Sequence, residues 1–340
     1  MTGVLTRSDF VRAPLLNSTD AEGFKEWHHF VIHGRNHHIL INFSLTSETS
    51  AKGEARLAPR VMVVVHDDRW HGAIERFEAS AVDISPDLGD LTIGGSRMIV
   101  LPEGYRVLID LPGRRIHAEI DFCAISRPFV VNNQPVGSGR MSWLFVPRLR
   151  ADGWLRVPGR EYRIDHELAY HDHNWGRFWW GDDFGWTWGT VLPTEPEDPW
   201  SMVFLQMTDR LRLRYLSQAV YVWHHDEPAA IFRHAAVTTR SHGTLSRAAD
   251  CTLPPPMRLV LDSAVPGVPE RVEITATRAG DSLRAEFRSA SYARLAQPSD
   301  TALDRATVLC ETSGAAHVTG CVNGEHLDFH GAGVFEFLHG

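Results

Sequence analysis

Short apolar runs separated by turn residues dominate this sequence, and this pattern restricts what the chain can fold into. In the run 116–122, apolar and polar residues alternate, which is the period-two signature of a half-buried strand. Comparable runs recur from about residue 28 onward, whereas hardly any window shows the i, i+3, i+4, i+7 spacing of an amphipathic helix. Many short strands with Gly and Pro turns are typical of sandwiches and barrels, so the sequence predicts an all-β fold.

Turn residues define several of the expected strands. Pro112-Gly113 predicts a hairpin over 105–122, and Ala279-Gly280-Asp281 and Asn323-Gly324 predict two further hairpins. Other strands are expected at 141–147, 161–168, 200–207, 218–224, 257–263, 270–277, 281–290, 305–311, 315–322 and 325–337. Short helical segments are expected only over 19–30 and 298–305.

The number of expected strands indicates two domains. About twenty strands are too many for one closed sheet, and a length of 340 residues also suggests two β-domains. The Pro-rich loop 193–199 is the best boundary signal. We therefore place the domains at 1–195 and 196–340, within about twenty residues, since the same loop also suits a long hairpin connection.

Charge and cysteine usage exclude several classes of function. The net charge of −8 and the pI near 6.2 argue against phosphate-backbone binding, so no nucleic-acid partner is expected. None of the four cysteines forms a Cys-x-x-Cys pair, which gives no support to a structural zinc site and fits a reducing compartment. The N-terminal segment lacks the apolar core of a signal peptide, and no run approaches the roughly 18 apolar residues of a spanning helix. A cytoplasmic protein without a transmembrane segment is expected, of undetermined oligomeric state.

The stretch Tyr170–Gly189 is the one part of the sequence that generic β-structure does not explain. It contains Tyr170-His171-Asp172-His173-Asn174-Trp175-Gly176 and, further on, Trp186-Thr187-Trp188-Gly189, with more tryptophans between them. Polar groups mixed this closely with aromatic rings cost stability unless each finds a partner. Such density is typical of a site where an apolar ligand meets a few well-placed polar groups.

These two motifs, together with Glu26-Trp27-His28-His29-Phe30, resemble the hydroxyneurosporene synthase (carotenoid 1,2-hydratase) superfamily. The resemblance implies two lipocalin-like β-barrel domains in tandem, both motifs of 170–189 lying in the first. It implies addition of water to isoprenoid double bonds, or the decalin-forming Diels–Alder chemistry of related members, without metal or organic cofactor. His28 and His29 depart from the pattern, which has aromatic residues there, and would change one wall of the site. One fold hosts many chemistries, so the resemblance bears more on fold than on reaction.

If 170–175 is extended, alternate side chains point to opposite faces. Tyr170, Asp172 and Asn174 then share one face, and His171, His173 and Trp175 share the other. A carboxylic acid in an apolar pocket stays partly protonated near neutral pH, so Asp172 is our candidate proton donor. His171 or His173 would position it or accept the returning proton.

The other candidate residues would bind the substrate. Trp175, Trp186 and Trp188 would face a carbocation and stabilise it through their ring quadrupoles. Tyr170 is grouped with the catalytic residues as a hydrogen-bond donor. The remaining substrate contacts are assigned to Asn174, Trp180, Trp27 and Glu26.

Structural roles compete with each of these assignments. Asp172 would serve equally well as the acceptor of an Asp-x-Asn turn before Gly176, and the histidines and tryptophans as core residues. Metal binding by His171 and His173 needs a third ligand, for which His28, His29, His37 and His38 are the candidates. Two histidines without a clear third ligand are thin evidence, so no metal is expected.

The prediction for function is an enzyme that hydrates or cyclises a hydrophobic alkene, an isoprenoid or polyene natural product, by acid initiation without a cofactor. One alternative is a pericyclase in natural-product biosynthesis that polarises a carbonyl through Tyr170, His173 or a tryptophan. The other is a non-catalytic carrier of lipophilic small molecules.

Overall fold

The computed structural model describes residues 5, 8–13, 22–49, 55–245, 267–300 and 306–339. Within these ranges the chain forms two large antiparallel sheets, and the only helical elements with defined bounds are short 3-10 turns at Ala79–Ala81, Pro112–Arg114 and His234–Ala236. No helix in the described ranges is long and apolar enough to cross a membrane. The prediction of an all-β chain is confirmed.

Among the described residues, the first sheet has 12 strands. They are β1 Phe24–His33, β2 His38–Thr49, β3 Ala55–His66, β4 Trp70–Arg76, β5 Val82–Ile84, β6 Asp90–Ile93, β7 Ser96–Leu101, β8 Gly104–Leu111, β9 Ile116–Ala124, β10 Phe129–Val136, β11 Gly139–Val157 and β12 Arg160–Arg177. Their order is β4-β3-β2-β1-β12-β11-β9-β8-β7-β6-β5, and β10 pairs with β11. The long strand β12 therefore lies in the middle of the sheet, between β1 and β11.

In the part of the chain that the structure describes, the second sheet has nine strands. They are β13 Gly185–Pro193, β14 Trp200–Thr208, β15 Tyr215–His224, β16 Glu227–Arg233, β17 Val237–His242, β18 Arg271–Arg278, β19 Asp281–Pro298, β20 Ala306–Val322 and β21 Glu325–His339. Their order is β16-β15-β14-β13-β21-β20-β19-β18-β17. Each sheet curls around an apolar core of its own.

The division of the chain into two compact units falls earlier than the Pro-rich loop. The first unit ends at Trp179 and the second continues from Trp180, with residues 35–38 and 66–71 also assigned to the second unit. The motif at Trp186–Gly189 was expected in the first domain, but β13, which carries it, pairs with β14 and β21 of the second sheet. The loop 193–199 connects β13 to β14 inside that sheet, which is the hairpin alternative considered above.

Most predicted strands are present, and the differences have local causes. The hairpins at Pro112-Gly113, Ala279-Gly280 and Asn323-Gly324 are confirmed. The expected strands 305–311 and 315–322 form one strand, β20, because Gly314 lets the backbone oxygen of Arg288 approach to 2.1 Å of where a Cβ would lie. The strand expected at 257–263 lies outside the described residues.

The helix predicted over 19–30 is wrong in the part that is described. Residues 24–33 form β1, which pairs along its whole length with β12. Nearly every residue of β1 is buried because both faces of the strand are covered. The sequence of β1 therefore lacks the apolar–polar alternation that identifies a half-buried strand. The second expected helix, 298–305, begins where β19 ends at Pro298, and 301–305 lie outside the described residues.

Residues 8–13 precede β1 and pack onto the first sheet. The Val11 amide donates to the carbonyl of Leu88, and the Val11 side chain is fully buried in the first core. This contact holds Asp9 and Arg12 close to the face of β1 and β12 that carries His28 and His173, which we call the inner face.

Candidate functional site

The pairing of β1 with β12 divides the Tyr170–Gly176 motif into two faces. His173 lies opposite His28, and Asp172 lies opposite His29, so consecutive residues alternate between the faces as predicted. The inner face carries His171, whose ring packs against Phe30 at 4.2 Å and Tyr105 at 4.3 Å between centroids. The outer face carries Tyr170, Asp172 and Asn174. The two faces have separate surroundings and separate chemistry.

On the inner face, Asp9 is the centre of a buried hydrogen-bond network. Its Oδ1 lies 2.6 Å from Nδ1 of His173, and its Oδ2 lies 2.8 Å from Nε2 of His171. The hydroxyl of Tyr105 donates to Oδ2 at 2.8 Å. Asp9, His171, His173 and Tyr105 have no solvent exposure. Both carboxylate oxygens are thus satisfied, as a buried charge requires.

Glu26 is the second carboxylate of the inner network. Its Oε1 lies 2.8 Å from Nε2 of His173 and accepts the Arg12 amide at 2.6 Å, and its Oε2 accepts the Ala13 amide at 2.8 Å. Glu26 was assigned to substrate contact by sequence. Here it joins the segment 8–13 to β12.

The charges of the inner network follow from these contacts. Burial opposes ionisation of Asp9, but the charge of His173 and hydrogen bonds from both imidazoles hold its pKa well below the usual range. Burial likewise opposes a charge on His173, yet Asp9 and Glu26 together raise its pKa to about 9. Burial lowers the pKa of His171 despite its contact with Asp9. At neutral pH His173 is therefore the imidazolium, held between two carboxylates.

On the outer face, the Asp172 carboxyl is fixed by its strand neighbours. Its Oδ2 accepts the Tyr170 hydroxyl at 3.0 Å, and its Oδ1 accepts Nδ2 of Asn174 at 2.6 Å. Asp172 is 5% exposed. Residues 172–174 stay in the regular pairing of β12, so they form no Asp-x-Asn turn.

Aromatic rings from the adjacent strand lie on the same outer face. Phe145 pairs with Asp172 and Trp143 with Asn174 in the register of β11 and β12. The rings of Trp143 and Phe145 stack at 4.3 Å, and Phe145 lies 6.5 Å from the ring of Tyr170. The carboxyl of Asp172 is therefore presented on an aromatic surface.

The tryptophans selected by sequence fall into three surroundings. Trp175 is on the inner face, with the Arg12 guanidinium 4.5 Å from its ring, so it already has a cation partner. Trp27 is on the outer face of β1 and makes an edge contact with Phe178 at 6.1 Å. Trp180 and Trp186 belong to the second unit, where their rings are 5.9 Å apart, and Trp188 follows Trp186 on the same face of β13.

Sequence reasoning missed a carboxyl pair beside Trp186. The indole Nε1 of Trp186 donates to Oε1 of Glu336, and Glu336 lies directly opposite Glu311 in the pairing of β20 and β21. Glu311 is buried, and burial raises the pKa of Glu336. The available signal was a single carboxylate in the apolar run 334–338.

Asp9 was also missed, because residue 9 is 162 positions from His171 and no local pattern connects them. The same network brings His28, one of the candidate third ligands named from the sequence, next to His173. Ligand atoms of Glu26, His28 and His173, and also of Asp9, His28 and His171, lie within 4.8 Å of one another. An exposed group of Asp152, Asp165 and His166 meets the same distance limit.

Three solved structures illustrate the similarity of this chain to known proteins. A protein from Nitrosomonas europaea provisionally designated AttH is 13% identical over 93% of this chain and 92% of its own, with a TM-score of 0.64. Kievitone hydratase from Nectria haematococca is 12% identical over 100% of this chain and 95% of its own, with a TM-score of 0.60. CghA in complex with Sch210972 is 11% identical over 93% and 88%, with a TM-score of 0.59.

The fold is lipocalin-like, in two domains. These likenesses cover nearly the whole chain, and they confirm the fold that the resemblance of the motifs implied. Neither a family profile nor a curated protein sequence matches this chain. At these identities the shared lipocalin-like fold carries no residue roles, which must be argued from the site itself.

Proposed function

We propose that this protein is an enzyme that hydrates or cyclises a hydrophobic alkene by acid initiation at Asp172. The observation that carries the proposal is the Asp172 carboxyl, buried on the aromatic outer face and held by Tyr170 and Asn174. Kievitone hydratase, a protein of the same fold, supports this class of reaction. The substrate class proposed is an isoprenoid or polyene natural product.

In the first step the Asp172 carboxylic acid transfers its proton to one alkene carbon. The π electrons form the new C–H bond and leave a carbocation at the other carbon. Hydrogen bonds from Tyr170 and Asn174 stabilise the carboxylate that remains, because they strengthen when their acceptor is charged. The rings of Phe145 and Trp143 face the cation, each contributing roughly 0.5–2 kcal/mol.

In the second step water, or a nucleophile within the substrate, attacks the carbocation. Attack by water gives an oxonium group, which returns its proton to the Asp172 carboxylate and leaves the alcohol. Attack by a second double bond closes a ring, and loss of a neighbouring proton to the carboxylate restores the acid. Either route regenerates the enzyme without redox chemistry.

The decisive variant is Asp172→Asn, which keeps the shape of the side chain and removes the acid. We expect native circular dichroism and a loss of turnover of about 100-fold or more. Asp165→Asn is the matched control, since Asp165 is an exposed aspartate on the same strand and should keep the wild-type rate. Kievitone and a panel of prenylated or polyene alkenes are the probes, assayed by mass spectrometry. An Asp172→Asn protein that turns over like the wild type would refute the proposal.

A pericyclase is the second candidate, favoured by the position of the Tyr170 hydroxyl beside Asp172; in this reaction the hydroxyl would donate to a substrate carbonyl instead of to Asp172. Reaction in deuterium oxide separates the two. Proton-initiated hydration or cyclisation places deuterium on carbon, whereas a cycloaddition leaves the product unlabelled. A ligand that binds and returns unchanged with every probe would favour a carrier instead.

A further inference from the structure

His28 is a buried imidazole whose hydrogen-bonding capacity is unused. It has no solvent exposure, and neither of its ring nitrogens has a hydrogen-bond partner. An imidazole ring carries two nitrogens that form hydrogen bonds, and leaving both unpaired in a protein interior is costly. The absence of hydrogen bonds therefore suggests that the ring nitrogens of His28 bind something other than a protein group.

The groups around His28 are of the kinds that bind metal ions. Its ring stacks on His173 at 3.8 Å between centroids, and Glu26 shares the same face of β1 two residues earlier. One ligand atom from each of Glu26, His28 and His173 lies within 4.8 Å of the others. All three project from paired strands rather than loops, which fixes their positions.

The surroundings of His173 match those of a metal-bound histidine. Its Nε2 points to Glu26, while its Nδ1 lies 2.6 Å from the Asp9 carboxylate. Metal-ligating histidines almost always donate their second ring N–H to a carboxylate or carbonyl in this manner. Asp9 is held in turn by Tyr105 and His171. An outer shell of hydrogen bonds is therefore already in place.

We propose that Glu26, His28 and His173 bind one divalent transition-metal ion, Zn²⁺ or Fe²⁺, inside the first domain. Two imidazoles and one carboxylate form a ligand set that both ions accept. The ion takes the place of the proton between His173 Nε2 and Glu26 Oε1, and that proton leaves to solvent. His28 turns its ring about the Cβ–Cγ bond to direct a nitrogen at the ion, and it loses no hydrogen bond in doing so.

The proposed position also bears on the N-terminal segment 8–13. Because Glu26 also accepts the Arg12 and Ala13 amides, the ion would fasten segment 8–13 to the barrel.

The test measures metal content on the full chain and needs no substrate. Chelator-treated protein is incubated with Zn²⁺, desalted, and analysed by plasma mass spectrometry. We expect about one retained ion per chain and a higher melting temperature with Zn²⁺ than without. His28→Phe keeps a ring that stacks on His173, and should lower the affinity about tenfold or more.

Two control variants separate this site from adventitious binding. His29→Phe removes the neighbouring imidazole on the opposite face, and His166→Ala removes the histidine of the exposed Asp152 group. Both should retain the ion. Wild-type protein that holds no ion, or a His28→Phe protein that binds as the wild type does, would overturn the proposal.

A second readout applies should His28→Phe fail to fold by circular dichroism. The wild-type protein loaded with Co²⁺ then decides the question through its visible spectrum. Intense bands of four- or five-coordinate cobalt support the buried site, and weak bands of six-coordinate cobalt refute it. Asp172 belongs to the other face, so these results are independent of the proposed reaction.

Discussion

Asp172 and His173 are adjacent in sequence, yet their side chains have unrelated partners. Asp172 contacts a phenol and an amide from its own strand, whereas His173 is held by two carboxylates from residues 9 and 26. The alternation of β12 predicted this division from sequence. The partner of His171 and His173 on the inner face could not be predicted from a local pattern, because Asp9 is more than 160 residues away from both histidines in sequence.

Tyr170→Phe tests the support of the proposed acid. The variant keeps the ring against Phe145 and removes the hydroxyl from Asp172 Oδ2, so we expect turnover to fall about 10- to 100-fold. Stability should fall by only about 1 kcal/mol. Tyr162→Phe, on the same strand, is the control and should keep the wild-type rate. An unchanged rate in Tyr170→Phe would remove Tyr170 from the site.

The carboxyl pair Glu311 and Glu336 predicts a pH dependence of stability. Burial raises the pKa of Glu336 above its ordinary value of 4.5, so the folded protein binds a proton more tightly than the unfolded chain. The free energy of unfolding should then decrease as the pH rises from 4.5 through the raised value. Glu336→Gln should flatten this decrease in urea titrations at several pH values. Glu325→Gln, an exposed control on the same strand, should leave it unchanged, and an identical decrease in Glu336→Gln would contradict the assignment.

At the scale of elements, the strand β12 and the segment 8–13 form one structural unit. The turn chemistry of the hairpins and the alternation of the strands were readable from sequence, since both are local properties. Strand β1 could not be predicted from sequence, because both of its faces are buried and its residues do not alternate between apolar and polar. The placement of segment 8–13 depends on long-range contacts to Leu88, His171 and His173, which lie beyond any sequence window.

Asp9→Asn tests whether this segment stabilises the domain. The change leaves the buried His173 imidazolium with one carboxylate instead of two, and we expect the free energy of unfolding to fall by about 3 kcal/mol or more. Urea denaturation followed by tryptophan fluorescence measures it. The control is Asp83→Asn, an exposed aspartate in β5 of the same sheet, which should change stability by less than about 0.5 kcal/mol. Equal midpoints for the two variants would contradict a stabilising role.

For the whole molecule, two apolar cores in two units were predictable from strand number and length alone. The boundary between the two units was harder to predict, because the Pro-rich loop 193–199 has the composition of a linker but connects the paired strands β13 and β14. The carboxylates of Asp9 and Glu336 show the general limit. Each of these acidic residues acquires its structural role from neighbours that only the folded chain supplies.

The net charge of −8 leads to a prediction for the whole molecule. We expect no retention of duplex or single-stranded DNA at physiological salt, because phosphate binding requires clustered cationic side chains. Electrophoretic mobility shift measures this, with a basic DNA-binding protein as the positive control. Salt-sensitive binding at micromolar concentration would contradict the prediction.

The network around Asp9 also fixes the alignment of β12 against β1. Slippage by a single position would turn every side chain of β12 to the opposite surface. Asp172 would then meet Asp9 and Glu26, three negative groups without the cation that now separates two of them. Electrostatic repulsion among these three groups would therefore disfavour the misaligned pairing of β1 with β12, and the contacts of His173 thereby help to keep Asp172 on the outer face.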